Sequence, residues 1–300
     1  MTKLAVATVN WNGQKDTLEF LKSFKLLDTA GLEVKIFLVS NEKILPEQTP
    51  FSLIFRPENR GSAGGYNDAA RAALAWGADF ILLVNNDILF KSSNLLKSLI
   101  SVAEQDEKIG AVSPKILFAP GYEFRKKRYE KNNVGRVIWY AGGSFDWNNV
   151  NSVHRGLDKV DAGQYEITGE TGFASGSAML VKKEIFTRGI FWDEGLFAYF
   201  DDNDFQQKIR RAGFKLFYDG RSAVYHKVSR TSGIGAPTTD YYTARNRLIF
   251  SFRYAPLKTK LAVLRQELGW LLSGRPGQRE GVKDFFIGKR GQRPLPSPGR

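Results

Sequence analysis

No cysteine occurs in the 300 residues, which excludes a disulfide frame, a thiol nucleophile and a thiolate metal site. No apolar run approaches the roughly 20 residues that span a bilayer, so any membrane contact is expected to be peripheral. No secretory leader is expected either. Met1-Thr2-Lys3 runs directly into the strand-like Leu4-Ala5-Val6-Ala7-Thr8-Val9, with no charged segment, apolar core or small-residue cleavage site ahead of it. The expected location is therefore the cytoplasm. The chain also lacks a G-x-G-x-x-G dinucleotide fingerprint and a P-loop G-K-S/T, and no internal repeat is evident.

What is present is a globular composition. With 42% apolar residues, a chain of this length can bury a full core in one large domain, or in one domain with an appendage. The net charge of +13 favours phosphate-bearing partners: nucleic acid, nucleotides or anionic lipid.

The first part alternates strand and helix patterns. Strands are expected at 3–9, 34–39, 52–55 and 80–84, and helices at 16–27, 66–76 and 93–104. This alternation predicts an α/β fold with a mostly parallel sheet covered by helices. Ligands of such sheets bind at the carboxyl ends of the strands, so the loops Asn10-Trp11-Asn12-Gly13, Ser40-Asn41-Glu42, Arg56-Pro57-Glu58-Asn59-Arg60-Gly61 and Asn85-Asn86-Asp87 should converge on one crevice. Residues 119–170 read as an irregular elaboration with a basic run, Arg125-Lys126-Lys127-Arg128, that is either a solvated loop or a grip on an anionic acceptor. A later helix carries Leu257, Leu261, Leu264, Leu268 and Leu271 on one face, with Lys258, Lys260 and Arg265 off it. It either packs on the main domain or lies on a membrane surface. The stretch 274–300, rich in Gly, Pro and basic residues, is expected to be disordered.

Three segments carry chemistry. Asp201, Asp202 and Asp204 place three carboxylates within four positions at the start of a helical pattern. The helix dipole favours negative charge there, and capping by Asp202 or Asn203 accounts for one or two of the acids, not three. The glycine turn Asn59-Arg60-Gly61-Ser62-Ala63-Gly64-Gly65-Tyr66-Asn67 lies between a strand and a helix, where backbone N–H groups could approach a phosphate or the glycines could serve packing. Asn85-Asn86-Asp87 ends the apolar run 80–84. It is either a turn or the place where Asp87 ligates a hard divalent cation that keeps waters and substrate phosphates. His226 ends a second strand, 222–225, reached through an Asp219-Gly220 turn, and an imidazole beside a carboxylate suits manganese or magnesium.

In order along the chain, Thr8-Val9-Asn10, the 59–67 turn, Asn85-Asn86-Asp87, Gly172-Phe173-Ala174-Ser175-Gly176-Ser177-Ala178 and Phe200-Asp201-Asp202-Asn203-Asp204-Phe205 resemble family 2 glycosyltransferases of the GT-A fold. The likeness is greatest to the bacterial rhamnosyltransferase and galactofuranosyltransferase branch, and it covers residues 1–250. The resemblance implies that Asn85-Asn86-Asp87 occupies the D-x-D position, that Asp202 is the catalytic base, and that His226 joins Asp87 on Mn2+ or Mg2+. Gly176, Ser177 and Asp201 would face donor sugar and acceptor. Thr8, Asn10, Ser40, Arg60, Gly61, Gly64, Asn67, Asn85 and Asn86 would contact the nucleotide-sugar. The chain departs from the family in having Asn85 for the first D-x-D carboxylate, and Ser40-Asn41 where an Asp commonly meets the pyrimidine.

The implied architecture is a GT-A domain over 1–235, a Rossmann-like nucleotide-binding sheet with helices on both faces, followed by a helical extension over 236–273 and the basic tail. The implied activity is inverting transfer from dTDP-rhamnose or a UDP-sugar to a glycan or polyprenyl-phosphate-linked acceptor in cell-surface polysaccharide synthesis, at the inner face of the plasma membrane. Three alternatives stand beside it. A sugar nucleotidyltransferase would want a Gly-rich, basic loop after the first strand, where this chain has Asn10-Trp11-Asn12-Gly13. A non-catalytic nucleotide-sugar or glycan-binding relative fits Asn85 but not the joint presence of Asp202 and His226. A nucleic-acid binder would show steep salt dependence, but the positive charge is spread and the carboxylate cluster repels phosphate, so no specific nucleic acid is expected.

Overall fold

The computed structural model describes residues 1–42, 51–125, 128–228 and 236–293. Lys126-Lys127 of the basic run, the domain boundary at 235 and the end of the tail, 294–300, lie outside the described residues. In chain order the elements are β1 (Thr2–Asn10), α1 (Gln14–Phe24), β2 (Leu32–Ser40), β3 (Phe51–Phe55), α2 (Gly61–Trp76), β4 (Phe80–Val84), β5 (Ile88–Phe90), α3 (Leu95–Ala103), β6 (Ile109–Phe118), β7 (Ile138–Tyr140), β8 (Gly143–Asp146), β9 (Asn151–His154), β10 (Thr168–Glu170), β11 (Ala178–Lys182), α4 (Lys183–Thr187), α5 (Asp201–Arg211), β12 (Lys215–His226), α6 (Pro237–Tyr254), α7 (Leu257–Ser273) and α8 (Pro276–Phe286).

The main sheet runs β10-β12-β6-β11-β4-β1-β2-β3, with β5 and β7 paired at one side to β12 and β6. Strand β1 shows why two layers of helices form. Its alternate residues Leu4 and Val6 join Phe20 of α1 and Leu96 of α3 in one core, while Ala5 and Ala7 join Ala69 and Ala73 of α2 in the other, as the two-residue period of a strand requires. The pairs β1–β2, β1–β4 and β2–β3 are parallel, as the alternation predicts. The far half is mixed: β11 enters antiparallel between β4 and β6, while β6 and β12 pair parallel. A further difference is β12, one strand from Lys215 to His226 rather than two joined by a turn. Asp219 sits at a register shift in its pairing with β6; its carboxylate accepts from Thr168 Oγ1 at 3.0 Å and from the Ser98 hydroxyl, and takes up the backbone N–H of Arg221 at 3.3 Å.

Helices α6, α7 and α8 build a third, smaller core containing Leu248, Phe250, Val263 and Val282, with Val150 from the elaboration. The expectation of a disordered tail from 274 fails here, because α8 is a helix packed on α6. A Cβ at Gly277 would lie 2.4 Å from the Pro237 carbonyl and one at Gly281 2.4 Å from that of Tyr241, so the glycines permit close helix contact. The basic residues are paired: Arg275 with Asp240, and Arg293 with Asp284 and Glu280. The leucine face of α7 is turned outward in part. Thr259, Val263 and Glu267 face inward, Leu264 and Leu271 pack at the margin, and Leu257, Leu261 and Leu268 are 72%, 58% and 42% exposed. No described helix is long and apolar enough to cross a membrane.

Candidate active site

The carboxyl ends of the parallel strands meet as the strand order predicts. Asn10 and Trp11 after β1, Ser40 and Asn41 after β2, Arg56 and Glu58 after β3, and Asn85 and Asn86 after β4 all line one pocket of about 320 Å³, which Arg60, Gly61, Ser62, Gly65, Tyr66 and Phe197 complete. That volume is of ligand size.

Within this wall the amides are organised by one another. Asn10 Oδ1 accepts from Gly13 N, Thr17 Oγ1 and Asn86 Nδ2, while its Nδ2 donates to Ser40 Oγ at 2.8 Å and Glu42 Oε2 at 2.9 Å. Asn10 and Asn86 therefore fix the loops that shape the pocket. Arg60 lies on the wall with its guanidinium taken up by Asp68 (2.9 Å) and Glu194 (2.5 Å). Glu194 and, to a lesser degree, Asp68 hold its pKa above the usual range.

Three expected contacts are placed elsewhere. Asn67 is buried with its amide bonded to Trp192 N, Trp192 O and Glu194 Oε1, so it anchors the 192–194 loop and is not on the pocket wall. Thr8 shares the buried face of Leu4 and Val6 and stops short of the pocket. Gly64 faces Arg60, whose Cβ is 2.5 Å from where its own Cβ would be. The glycines lie inside α2 rather than in a turn before it, and they serve close approach: a Cβ at Gly65 would meet Val9 at 2.7 Å, and Gly61, with φ of +68°, would meet the Phe197 carbonyl at 2.0 Å. No bulkier residue fits there.

Tyr66 leads from the pocket to the acids. Its hydroxyl donates to Asn85 Oδ1 at 2.8 Å, and its ring stacks on Trp192 at 5.4 Å between centroids. Trp192 stacks in turn on Phe205 at 3.7 Å and donates Nε1–H to Asp202 Oδ1 at 3.3 Å. Asn85 closes the ring by donating to Ser177 Oγ at 3.5 Å and, through its backbone N–H, to Ser177 O at 3.0 Å. Gly176, beside Ser177, leaves the space that Asp202 fills, for a Cβ there would lie 1.9 Å from Asp202 Oδ2. Gly176, Ser177, Asp201 and Asp202 are thus brought together.

The acids do not cap α5. Its N-cap is Phe200, in the left-handed region with φ of +62°, and all three carboxylates stand in the first turn. Asp201 accepts from Ser62 Oγ at 2.6 Å. Burial raises its pKa, against the lowering effect of that bond and of backbone N–H groups at the helix start. Burial, followed by the charge of Asp201, pushes Asp202 up to about 7, with the Trp192 bond opposing. Asp204 is fully buried and bound to Arg253 Nη1 at 2.6 Å, Tyr254 OH at 2.8 Å and Lys208 Nζ at 2.8 Å.

Asp87 and His226 meet because β5, which follows Asp87, pairs antiparallel with the end of β12, Ile88 opposite His226. Asp87 Oδ1 and His226 Nε2 are 3.2 Å apart and both residues are buried. His226 Nδ1 has no hydrogen-bond partner among the described residues. The ring stands edge-on to Trp139, whose other neighbour is His154. No group of three or more metal-ligating side chains converges among the described residues. The pair therefore fits a cation only if water and substrate phosphate complete its shell.

No protein-family model matches the chain. It is 22% identical over 247 residues, 77% of its length and 78% of the relative's, to an N-acetylglucosaminyl-diphospho-decaprenol L-rhamnosyltransferase of Mycobacterium tuberculosis. Solved structures of glycosyltransferases share its fold. The mannosyltransferase PcManGT from Pyrobaculum calidifontis, in complex with GDP-Man and Mn2+, matches with a TM-score of 0.52 and 16% identity over 95% of this chain and 74% of that one. GalNAc-T7, solved with UDP, GalNAc and Mn2+, matches with a TM-score of 0.66 and 15% identity over 95% of this chain and 54% of that one. The chain has the GT-A glycosyltransferase fold, and the likeness to rhamnosyltransferases read from its sequence is borne out.

Proposed function

We propose that the chain is an inverting, divalent-metal-assisted glycosyltransferase that takes a sugar from a nucleoside-diphospho-sugar and joins it to a hydroxyl of a lipid-linked glycan. The relative's activity makes transfer of rhamnose from dTDP-rhamnose to N-acetylglucosaminyl-diphospho-polyprenol the first substrate pair to test. The observation that carries this reading is the closed ring from pocket to acid, Tyr66, Asn85, Ser177, Gly176, Asp202 and Trp192.

In this reading the nucleotide occupies the pocket lined by Asn10, Ser40 and Asn41, and the sugar points past Tyr66. Asp202, with a pKa near 7, is matched to taking a proton at neutral pH. It accepts the proton of the acceptor hydroxyl as that oxygen attacks the anomeric carbon from the face opposite the diphosphate. The bond to the diphosphate oxygen breaks as the new glycosidic bond forms, so one displacement inverts the centre. The transition state has oxocarbenium character, as in hydrolysis of the same bond. Asp87 and His226 would hold Mn2+ or Mg2+, which when bound neutralises charge on the leaving diphosphate.

A polyprenyl acceptor lies at a membrane. The outward leucines of α7, with Lys258 and Arg265 beside them, form an apolar strip with basic flanks, suited to the anionic inner face of a plasma membrane. The test is a panel of UDP-, dTDP- and GDP-sugars with Mn2+ or chelator and a synthetic polyprenyl-diphospho-N-acetylglucosamine. Nucleoside diphosphate release that requires the acceptor, with an inverted anomeric centre in the product, is expected. A retained configuration, or no turnover of any donor, refutes the reading.

A further inference from the structure

Just before the acids the chain adopts a costly shape. Phe197, Tyr199 and Phe200 have φ of +66°, +63° and +62°, the left-handed region that non-glycine residues rarely enter. Local backbone bonds alone do not explain why this turn persists. Two side chains of α6 grip it from behind. Asn246 Nδ2 donates to the carbonyls of Leu196, Ala198 and Tyr199 at 2.8, 2.7 and 2.9 Å. Arg245 Nη2 donates to those of Gly195 and Leu196 at 3.2 and 3.0 Å, and its Nε reaches Asn246 Oδ1 at 3.0 Å.

Both residues are 0% exposed, so the guanidinium is a fully buried charge. No ion pair to Arg245 occurs among the described residues. Carbonyl oxygens, the Tyr241 hydroxyl at 3.3 Å and the faces of Tyr241 and Tyr242 take the place of a counterion. Such a charge is expensive to bury, and a fold that needed only packing here would use an apolar side chain. The segment after α8 completes the grip. Gly291 O accepts from Arg245 Nη1 at 2.9 Å, and Gly291 N donates to Gly195 O at 2.7 Å. On the other side the turn meets both halves of the site: the Phe197 carbonyl abuts Gly61 at the start of α2, and Phe200 is the N-cap from which Asp201 and Asp202 follow.

We propose that Arg245 and Asn246 are positioning residues whose function is to hold the left-handed 197–200 turn, and through it to set Asp201 and Asp202 against the nucleotide pocket. Neither touches substrate. The proposal rests on the reading of Asp202 as the base, but the clamp itself can be measured without turnover.

The test compares wild type with Asn246→Asp, which keeps the shape and removes the donors, and with the milder Arg245→Lys. Three readouts are taken: kcat for transfer, binding of UDP and dTDP with Mn2+ by calorimetry, and amide hydrogen exchange of 195–204. A fall in kcat of about 10- to 100-fold is expected, with diphosphate affinity within a few-fold and faster exchange confined to 195–204. Adding Tyr199→Gly, which makes the left-handed conformation costless there, should recover part of the lost kcat. Unchanged kcat and exchange in both variants would overturn the proposal. So would loss of kcat and binding in step with the melting temperature and without glycine rescue, or failure of both variants to fold, since these place the pair in the general core. If wild type turns over no donor while exchange still loosens only over 195–204, the clamp stands and the enzymatic reading falls.

Discussion

Replacing Gly176 by alanine probes the base without touching it. The added Cβ would lie 1.9 Å from Asp202 Oδ2 and 2.2 Å from its Cγ, so the carboxylate must give way by about 1.5 Å to reach the ordinary contact of 3.4 Å. It is tethered by Trp192 Nε1, and the indole cannot follow because it lies 3.7 Å from the Phe205 ring and stacks on Tyr66. A misplacement of this size costs about 100-fold in rate, which is about 2.7 kcal/mol of barrier. Gly176 has no left-handed φ and does not line the pocket. The fold should thus lose only the roughly 1–3 kcal/mol of an overpacked site, and donor binding should stay within a few-fold. The assay is steady-state transfer beside calorimetry of the nucleoside diphosphate and a thermal melt. Wild-type turnover in Gly176→Ala would show that the carboxylate has another seat or is not the reacting group.

Because burial and then Asp201 push Asp202 up to about 7, kcat/KM should rise with pH below about 7 and level above it, as a base that must be ionised requires; Asp201→Asn should move that limb to lower pH, and an unmoved limb would reject the coupling. The sign for stability is opposite to the usual carboxylate: the folded chain holds the proton between the ordinary carboxylate value of 3.8 and about 7, so this group's contribution is lost as pH rises through that window, and Asp202→Asn should flatten the slope of melting temperature against pH there. Asp87→Ala and His226→Ala should each raise the Mn2+ concentration giving half activity, and unchanged metal dependence in both would remove them from the site. Changing Leu257, Leu261 and Leu268 together to Gln should weaken sedimentation with anionic phospholipid vesicles without lowering the melting temperature; equal sedimentation would leave the strip without a lipid role.

The parts of the pocket set by strand order were legible: an apolar run ending in Asn85-Asn86-Asp87 was expected to deliver polar groups to the crevice, and Asn85 and Asn86 line it. Asp204 was expected to be structural, and its carboxylate is taken up by Arg253, Tyr254 and Lys208. What pattern could not supply was the partner across the fold. Asn67 reads as a polar residue at a helix entry, and only the arrival of Trp192, 125 positions later, shows its amide taken up. Trp192, Tyr66 and Ser62 carry no motif signal for their contacts to Asn85 and the acids, although Ser62 and Tyr66 lie inside the quoted turn. The tail misled for a physical reason: Gly277, Gly281 and its arginines resemble a disordered composition, yet here the glycines permit contact and the arginines answer buried carboxylates on α6 and α8.

Trp192 also gives the protein an internal optical probe. An indole held between the Phe205 and Tyr66 rings, its N–H aimed at the carboxylate that burial pushes up to about 7, should change emission when that carboxylate gains or loses its proton or is drawn toward a ligand. Among six tryptophans its share is isolated by subtracting a Trp192→Phe variant. The charge state of Asp202 could then be followed by fluorescence in the resting protein, before any donor or acceptor has been identified.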